Sequence, residues 1–219
     1  MPLISRRAVL GASALAAGAA MLPEAHAAAP LRLRFKLHAW FFSHEAHISP
    51  PVDPQVFEVD PHAPAAVGPQ GIRHVAGFRP ALFFGPHDVG VYNALGTPLG
   101  FTLAEWFAAF GLVSIAPASA GSRVACRFRH LRPNGVYSLF ENHFDQKPVG
   151  FTPLDGTGTR NNFIADANGQ AAIVVETPAP TTHENAVLLV YHSDNRSHGM
   201  ERGEPGVTAH HQLIARLPA

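Results

Sequence analysis

The chain has 219 residues, of which 47% are apolar and only 15% charged, and 16 Lys+Arg balance 16 Asp+Glu. That neutrality argues against a basic nucleic-acid footprint and against an acidic disordered tail, so no nucleic-acid partner is expected. One cysteine excludes a disulfide framework and a thiolate-rich zinc or iron–sulfur centre, while 20 Pro and 19 Gly point to turns rather than a helical bundle. Against so few charges, 14 histidines stand out.

Residues 1–27 read as an export signal. Ser5-Arg6-Arg7-Ala8-Val9-Leu10 precedes a weakly apolar Ala/Gly-rich run to Leu22, and Ala25-His26-Ala27 sets small residues where a signal peptidase cuts. The pattern resembles the twin-arginine export signal, which implies folding before export and a periplasmic or secreted protein. The run falls short of the roughly 20 apolar residues of a membrane span, and no second stretch qualifies. No transmembrane segment is therefore expected in the mature chain. Residues 28–219 read as one β-sandwich domain.

Leu31 to Trp40 alternates apolar and polar side chains, the pattern of a strand with one buried and one wet face. Ser49 to Gly71 holds six prolines and reads as an irregular arm, over residues 49–71, that packs over the sheet or serves a site. Thr102 to Gly111 is the convincing helix. Thr102 and Glu105 have capping-box spacing, Leu103, Trp106, Phe107 and Phe110 share a face, and Gly111 is expected to supply a left-handed stop. Its aromatic stripe is expected to pack onto a sheet.

Strands are expected over Leu112–Ala116, Ser122–His130, Val136–Phe144, Ala171–Glu176, Ala186–His192 and Thr208–Leu217. Asn134-Gly135 and Asn168-Gly169 carry the tight-hairpin signal. Cys126 alternates in phase with Val124 and Phe128 and reads as a small buried hydrophobe. The fold class is mainly β: an antiparallel β-sandwich, or a jelly-roll-like barrel, with one short helix.

The chemistry concentrates late in the chain. His192, His198 and His210 fall at a strand end, in the following loop and on the next strand. A hairpin of the last two strands would bring imidazoles together, as a metal centre requires. By alternation His210 faces with Thr208, Gln212 and Arg216 and is the wet candidate, whereas His211 faces the core. Glu141 and His143 share one face of an earlier strand and are expected to support the same rim. A His set with or without Glu141 suits copper, zinc or non-haem iron. The spacing His-x5-His-x11-His matches no established zinc motif. His192-Ser193-Asp194 can equally be a turn in which Asp194 caps local amides. His44 and His47 are three apart and do not form the His-Glu-x-x-His zinc helix. The Gly-rich stretch Pro153 to Asn162 lacks phosphate-loop spacing and reads as a long ordered turn.

The stretch from Asn134-Gly135-Val136-Tyr137-Ser138-Leu139-Phe140 through Pro153-Leu154-Asp155-Gly156 to His192-Ser193-Asp194 and His198-Gly199, with Gly96-Thr97-Pro98-Leu99-Gly100 and Trp106 upstream, resembles an uncharacterised group of exported microbial β-sandwich proteins over residues 90–219. The resemblance implies the fold and carries no activity. There is a fainter similarity to copper/zinc superoxide dismutase, but the His-x-His pair and the disulfide are missing. Two readings follow: an exported β-sandwich binding copper or zinc through His192, His198 and His210 with His143 and Glu141, or a metal-free ligand- or envelope-binding module using Trp40-Phe41-Phe42 and the Gly-rich loop. A third, a hydrolase, would need Asp155 or Asp194 beside a histidine base.

Overall fold

The computed structural model describes residues 29–219, and the expected leader lies outside them. The chain runs through β1 (Leu31–Arg34), β2 (Lys36–Leu37), α1 (His38–Glu45), β3 (Val52–Val59), β4 (Ala66–Val67), β5 (Arg73–His74), β6 (Phe78–Leu82), β7 (Gly90–Tyr92), β8 (Pro98–Thr102) and α2 (Leu103–Phe107). It continues through β9 (Phe110–Pro117), β10 (Ser122–Arg129), β11 (Val136–His143), β12 (Gly150–Pro153), β13 (Asn162–Ile164), β14 (Ala171–Glu176), β15 (Asn185–His192) and β16 (Ala209–Arg216). The antiparallel sandwich expected from the sequence is what forms.

Three sheets matter. The outer sheet has the order β1-β9-β10-β14, the middle sheet β12-β11-β15-β16-β2 with β13 also on β11, and the cover sheet β6-β3-β7-β8. The principal core lies between the outer and middle sheets. Val113, Ile115, Val124, Cys126, Phe128 and Val175 meet Tyr137, Leu139, Val187, Leu189, Tyr191 and Leu213. Cys126 is buried as its alternation indicates. Burial of a Leu, Val or Phe side chain contributes roughly 1.5–3 kcal/mol each, so this layer supplies most of the cohesion.

The opposite face of the middle sheet is also covered. Phe140, Ala186, Leu188, Val190, Ala209 and Ile214 pack there with Phe41, Phe144 and Phe151. Phe41 comes from α1, which corrects the strand expected to run through Trp40. Alternation persists only as far as Leu37; Ala39 to Phe42 is a continuous apolar run, and helical winding lets it both cover the sheet and leave Trp40 at the surface.

The Pro-rich arm is more ordered than its composition suggests. Its first part is β3, buried from Asp53 to Glu58, with Val56 and Phe57 fully inaccessible. Pro54 is accommodated because the pairing of β3 with β6 is interrupted between Asp53 and Phe57. Across that gap Asp53 Oδ1 accepts from Gln55 N (2.9 Å) and Val56 N (3.1 Å), replacing the lost ladder bonds.

At α2 the capping box is present: Thr102 Oγ1 accepts from Glu105 N (3.3 Å), and Glu105 Oε2 accepts from Thr102 N (2.7 Å). The helix stops at Phe107, earlier than expected, and Gly111 lies inside β9 rather than at a left-handed cap. Glycine is needed there for a different reason. An added Cβ would sit 2.7 Å from Phe35 Cδ2 and 2.8 Å from Phe128 Cδ1. The two Asn-Gly turns also differ from expectation. They are not hairpins but crossings between sheets, since β10 pairs with β9 and β14 while β11 and β13 belong to the middle sheet.

Candidate metal centre

β15 and β16 pair antiparallel, with His192 opposite Ala209, Tyr191 opposite His210 and Val190 opposite His211. The loop between them folds back on the end of β15. Asn195, at φ 58°, donates its amide to His192 O (3.2 Å), closing a turn that aims Asp194 toward the returning His198. His198 Nε2 lies 3.1 Å from Asp194 Oδ2, and the His192 and His198 ring centroids are 5.3 Å apart. One ligand atom from each of His192, Asp194 and His198 lies within 4.8 Å of the others, so the group can hold a metal ion.

Glycines permit this packing. Gly158, at φ 71°, lets its loop touch the backbone at Gly199, where an added Cβ would also come within 2.7 Å of Met200 N. Gly203, at φ 80°, lies so close to His198 that a Cβ there would be 3.1 Å from its Cδ2. The Gly-rich stretch thus buttresses the histidine loop. Its own acid is used internally: Asp155 accepts from the amides of Gly158 (2.8 Å), Arg160 (2.9 Å), Thr159 (3.1 Å) and Thr157 (3.2 Å). Burial opposes ionisation of Asp155, but bonds from the Thr157 hydroxyl and these amides outweigh it and hold the carboxyl below the usual range. Asp155 has no histidine among these partners; of the two acids considered for a hydrolase, only Asp194 lies beside one, 3.1 Å from His198 Nε2.

The ligand set has unmet hydrogen-bonding capacity. His192 is fully buried, its Nε2 2.8 Å from Ser138 Oγ, and its Nδ1 has no partner among the described residues. His198 Nε2 is near Asp194 but off the hydrogen-bond direction, and it too has no aligned partner among the described residues. Buried polar atoms are normally satisfied, at a cost of about 1–3 kcal/mol when they are not. Burial, with smaller effects from His198 and His210, pushes His192 down to about 4 against the opposing pull of Asp194. At neutral pH its imidazole is uncharged and carries a lone pair, the state a metal needs.

The structure brings together only part of the expected set. His192 and His198 converge; Asp194, read from sequence as a turn residue, joins them. It does accept from Arg196 N (3.3 Å), but its other oxygen faces His198. The available signal was an acid two residues after one histidine and four before another. His210 does not enter the group. Its Nδ1 is 2.9 Å from Gln55 O and its Nε2 3.1 Å from Ser193 Oγ, so both nitrogens are occupied. Nor is it wet: the bulge opposite Leu189 and Val190 absorbs Gln212 and reverses the alternation. His210 consequently packs against Trp106 and Tyr191 on the principal-core side, whereas His211 meets His38 and Phe151 on the other. Burial pushes His210 down to about 4 and holds His211 well below its ordinary range.

Glu141 and His143 stand at the far end of β11. Val136 is opposite His192, while His143 is opposite Asn185. Seven residues at about 3.3 Å each put His143 on the order of 23 Å along the strand from the group. His143 instead contacts Thr152 Oγ1 (2.8 Å) and Asn185 Nδ2 (3.2 Å). Glu141 is buried opposite Val187, and burial, with Asp145 nearby, pushes it up to about 7. Strand direction, not side-chain chemistry, separates them from the site.

No family model, curated protein or solved structure matches this chain.

Proposed function

We propose that this is an exported β-sandwich protein that binds a transition-metal ion, copper or zinc, through His192, Asp194 and His198. The observation that carries the reading is the pair of buried imidazole nitrogens, His192 Nδ1 and His198 Nε2, that lack aligned hydrogen-bond partners among the described residues and converge beside a carboxylate. Two imidazoles and one carboxylate are donors that zinc and copper accept, and the same set suits non-haem iron. Three protein ligands leave a position for water or another exchangeable ligand. Asp194 and His198 side chains are 28% and 27% exposed, which supports access from solvent.

The test is metal analysis of protein purified without an affinity tag, before and after separate reconstitution with zinc, copper and iron. One equivalent is expected, lost in His192→Ala and in Asp194→Ala but retained in His143→Ala. No binding after reconstitution, or binding indifferent to the first two substitutions, would overturn the assignment. Export to the periplasm or beyond is supported by Ser5-Arg6-Arg7. Replacing both arginines by lysine is expected to leave the protein in the cytoplasm.

A second reading, a metal-free ligand- or envelope-binding module, is favoured by one observation. Trp40 is 40% and Phe84 72% exposed, and Trp40 packs against Phe83 and Phe84 at centroid distances of 5.4 and 5.9 Å. Exposed aromatic groups of this kind commonly mark contact surfaces. Failure of the metal test with retained ligand binding at Trp40 would favour it.

A further inference from the structure

The outward face of the outer sheet carries an uneven charge. Arg32 and Arg34 on β1 and Arg123, Arg127 and Arg129 on β10 are all exposed, with Glu176 the acid on that face. Five of the 16 basic residues of an electrically neutral chain thus stand together. Among the described residues none of the five forms an ion pair closer than 4 Å; Arg34 lies over the Phe110 ring at 4.8 Å.

Register makes this a patterned surface. Arg34 is aligned across Leu112 with Arg127 and then Ala172; Arg32 is aligned across Ser114 with Ala125 and then Val174. Side chains two apart on a strand are separated by about 6.7 Å, and β1 and β10, two strands apart, by about 9.6 Å. The guanidinium groups therefore border a floor of Leu112, Ala125, Ala172 and Val174, with Leu112 48% and Val174 50% exposed. A shallow trough of about 780 Å³ lies between them.

From this arrangement we infer that the outer sheet is a docking surface for an acidic, carboxylate-bearing polysaccharide lying in the trough. Guanidinium is the cation whose planar fork matches carboxylate in a two-point contact, and every basic group bordering the trough is arginine. The apolar floor suits the C–H faces of sugar rings. A linear chain can enter a concave trough, which a flat bilayer contacts only at its rim. This surface is independent of the metal site, being on another sheet.

Calorimetric titration of the mature protein with polygalacturonate, and with neutral dextran as reference, tests the inference. Polygalacturonate is expected to bind and dextran not to. Arg34→Gln/Arg127→Gln is expected to weaken binding at least tenfold, whereas exposed Lys147→Gln leaves it unchanged. Raising salt from 0.05 to 0.5 M should remove most of the affinity as screening shortens to a few ångströms. Absence of binding, or equal binding by the double variant, overturns the inference. So does a preference for anionic vesicles or single-stranded oligonucleotide with the same arginine dependence.

Discussion

Asp53→Ala is the most informative single perturbation of the fold, because three buried donors converge on one carboxylate. Oδ1 accepts from the Gln55 and Val56 amides, and Oδ2 accepts from Trp106 Nε1 at 2.8 Å. Leaving three donors unmet at about 2 kcal/mol each costs roughly 6 kcal/mol. Against this stands the cost of the buried charge. Burial pushes Asp53 from an ordinary 3.8 up to about 6, with the three donors pulling the other way. At 1.36 kcal/mol per pH unit, ionisation at pH 7 already costs the fold about 3 kcal/mol, which alanine removes. The net expected loss is about 3 kcal/mol, a large share of the 5–15 kcal/mol typical of a domain. Asp53→Asn keeps an oxygen for the two amides and removes the charge, but its NH2 replaces the acceptor of Trp106 Nε1 and leaves that donor unmet at about 2 kcal/mol. With the roughly 3 kcal/mol charge cost relieved, it is expected within about 1 kcal/mol of wild type. A folded-state pKa raised above the unfolded one favours the protonated fold, so wild type loses stability relative to Asp53→Asn as pH rises through about 6. Urea unfolding followed by circular dichroism at pH 5 and 8, with unchanged m-value, measures both effects. An Asp53→Ala protein within about 1 kcal/mol of wild type, or an Asp53→Asn protein as damaged as alanine, would show that these donors do not depend on Asp53 as their acceptor.

Three further outcomes are expected. Ser138→Ala removes the contact that orients His192, and metal affinity should fall about 10–100-fold with little change in ligand number, as read by competition with a chromophoric chelator. Gly158→Ala adds left-handed strain and drives a Cβ into Gly199. Gly71, at φ 72° with open space around its Cβ position, supplies the strain alone. Gly158→Ala should therefore lower the urea midpoint more than Gly71→Ala, which should cost only about 1–2 kcal/mol. His38 is buried, and burial, with Arg202 adding to it, pushes its pKa down to about 3. Because the folded state favours neutral imidazole, this stability is present above pH 6.5 and is lost as pH falls toward 3. Between pH 7 and 5 wild type should lose about 2 kcal/mol relative to His38→Phe; a constant difference between the two proteins would contradict that.

What the sequence revealed, and what it concealed, follows from layer thickness. β10 could be read residue by residue because it has one wet face: Arg123, Arg127 and Arg129 alternate with Val124, Cys126 and Phe128. β14, β15 and β16 were likewise legible as strands, since apolar runs between turn residues locate a strand even when both faces are buried. The facing of β16 was not legible. With both faces covered, no hydrophilic side marks the phase, and a bulge at Gln212 leaves little trace in composition. β3 was hidden for another reason. Prolines conceal a strand whose ladder is interrupted, and a side chain 53 residues before Trp106 supplies the missing contacts.

The same double covering shapes the chemistry of the histidines. His38, His210 and His211 lie within or against the middle sheet, and α1 and the cover sheet keep water from them. β3 does this through one residue in particular. Gln55 accepts from His210 Nδ1 at its backbone oxygen and from the His211 amide at its side-chain oxygen. His210 thus has both ring nitrogens occupied and no free donor for an ion, whereas His211 is held at Nε2, 3.0 Å from Arg202 Nη1, and keeps an Nδ1 unpartnered among the described residues. His192 is held on one nitrogen only, by Ser138, and His198 comes from a loop shaped by glycines. His38 and His211 also keep an unpartnered ring nitrogen among the described residues, so what sets His192 apart is that a carboxylate and a second imidazole, Asp194 and His198, converge on it within 4.8 Å. Spacing along the chain does not report that convergence; the turn after β15 and the returning loop create it.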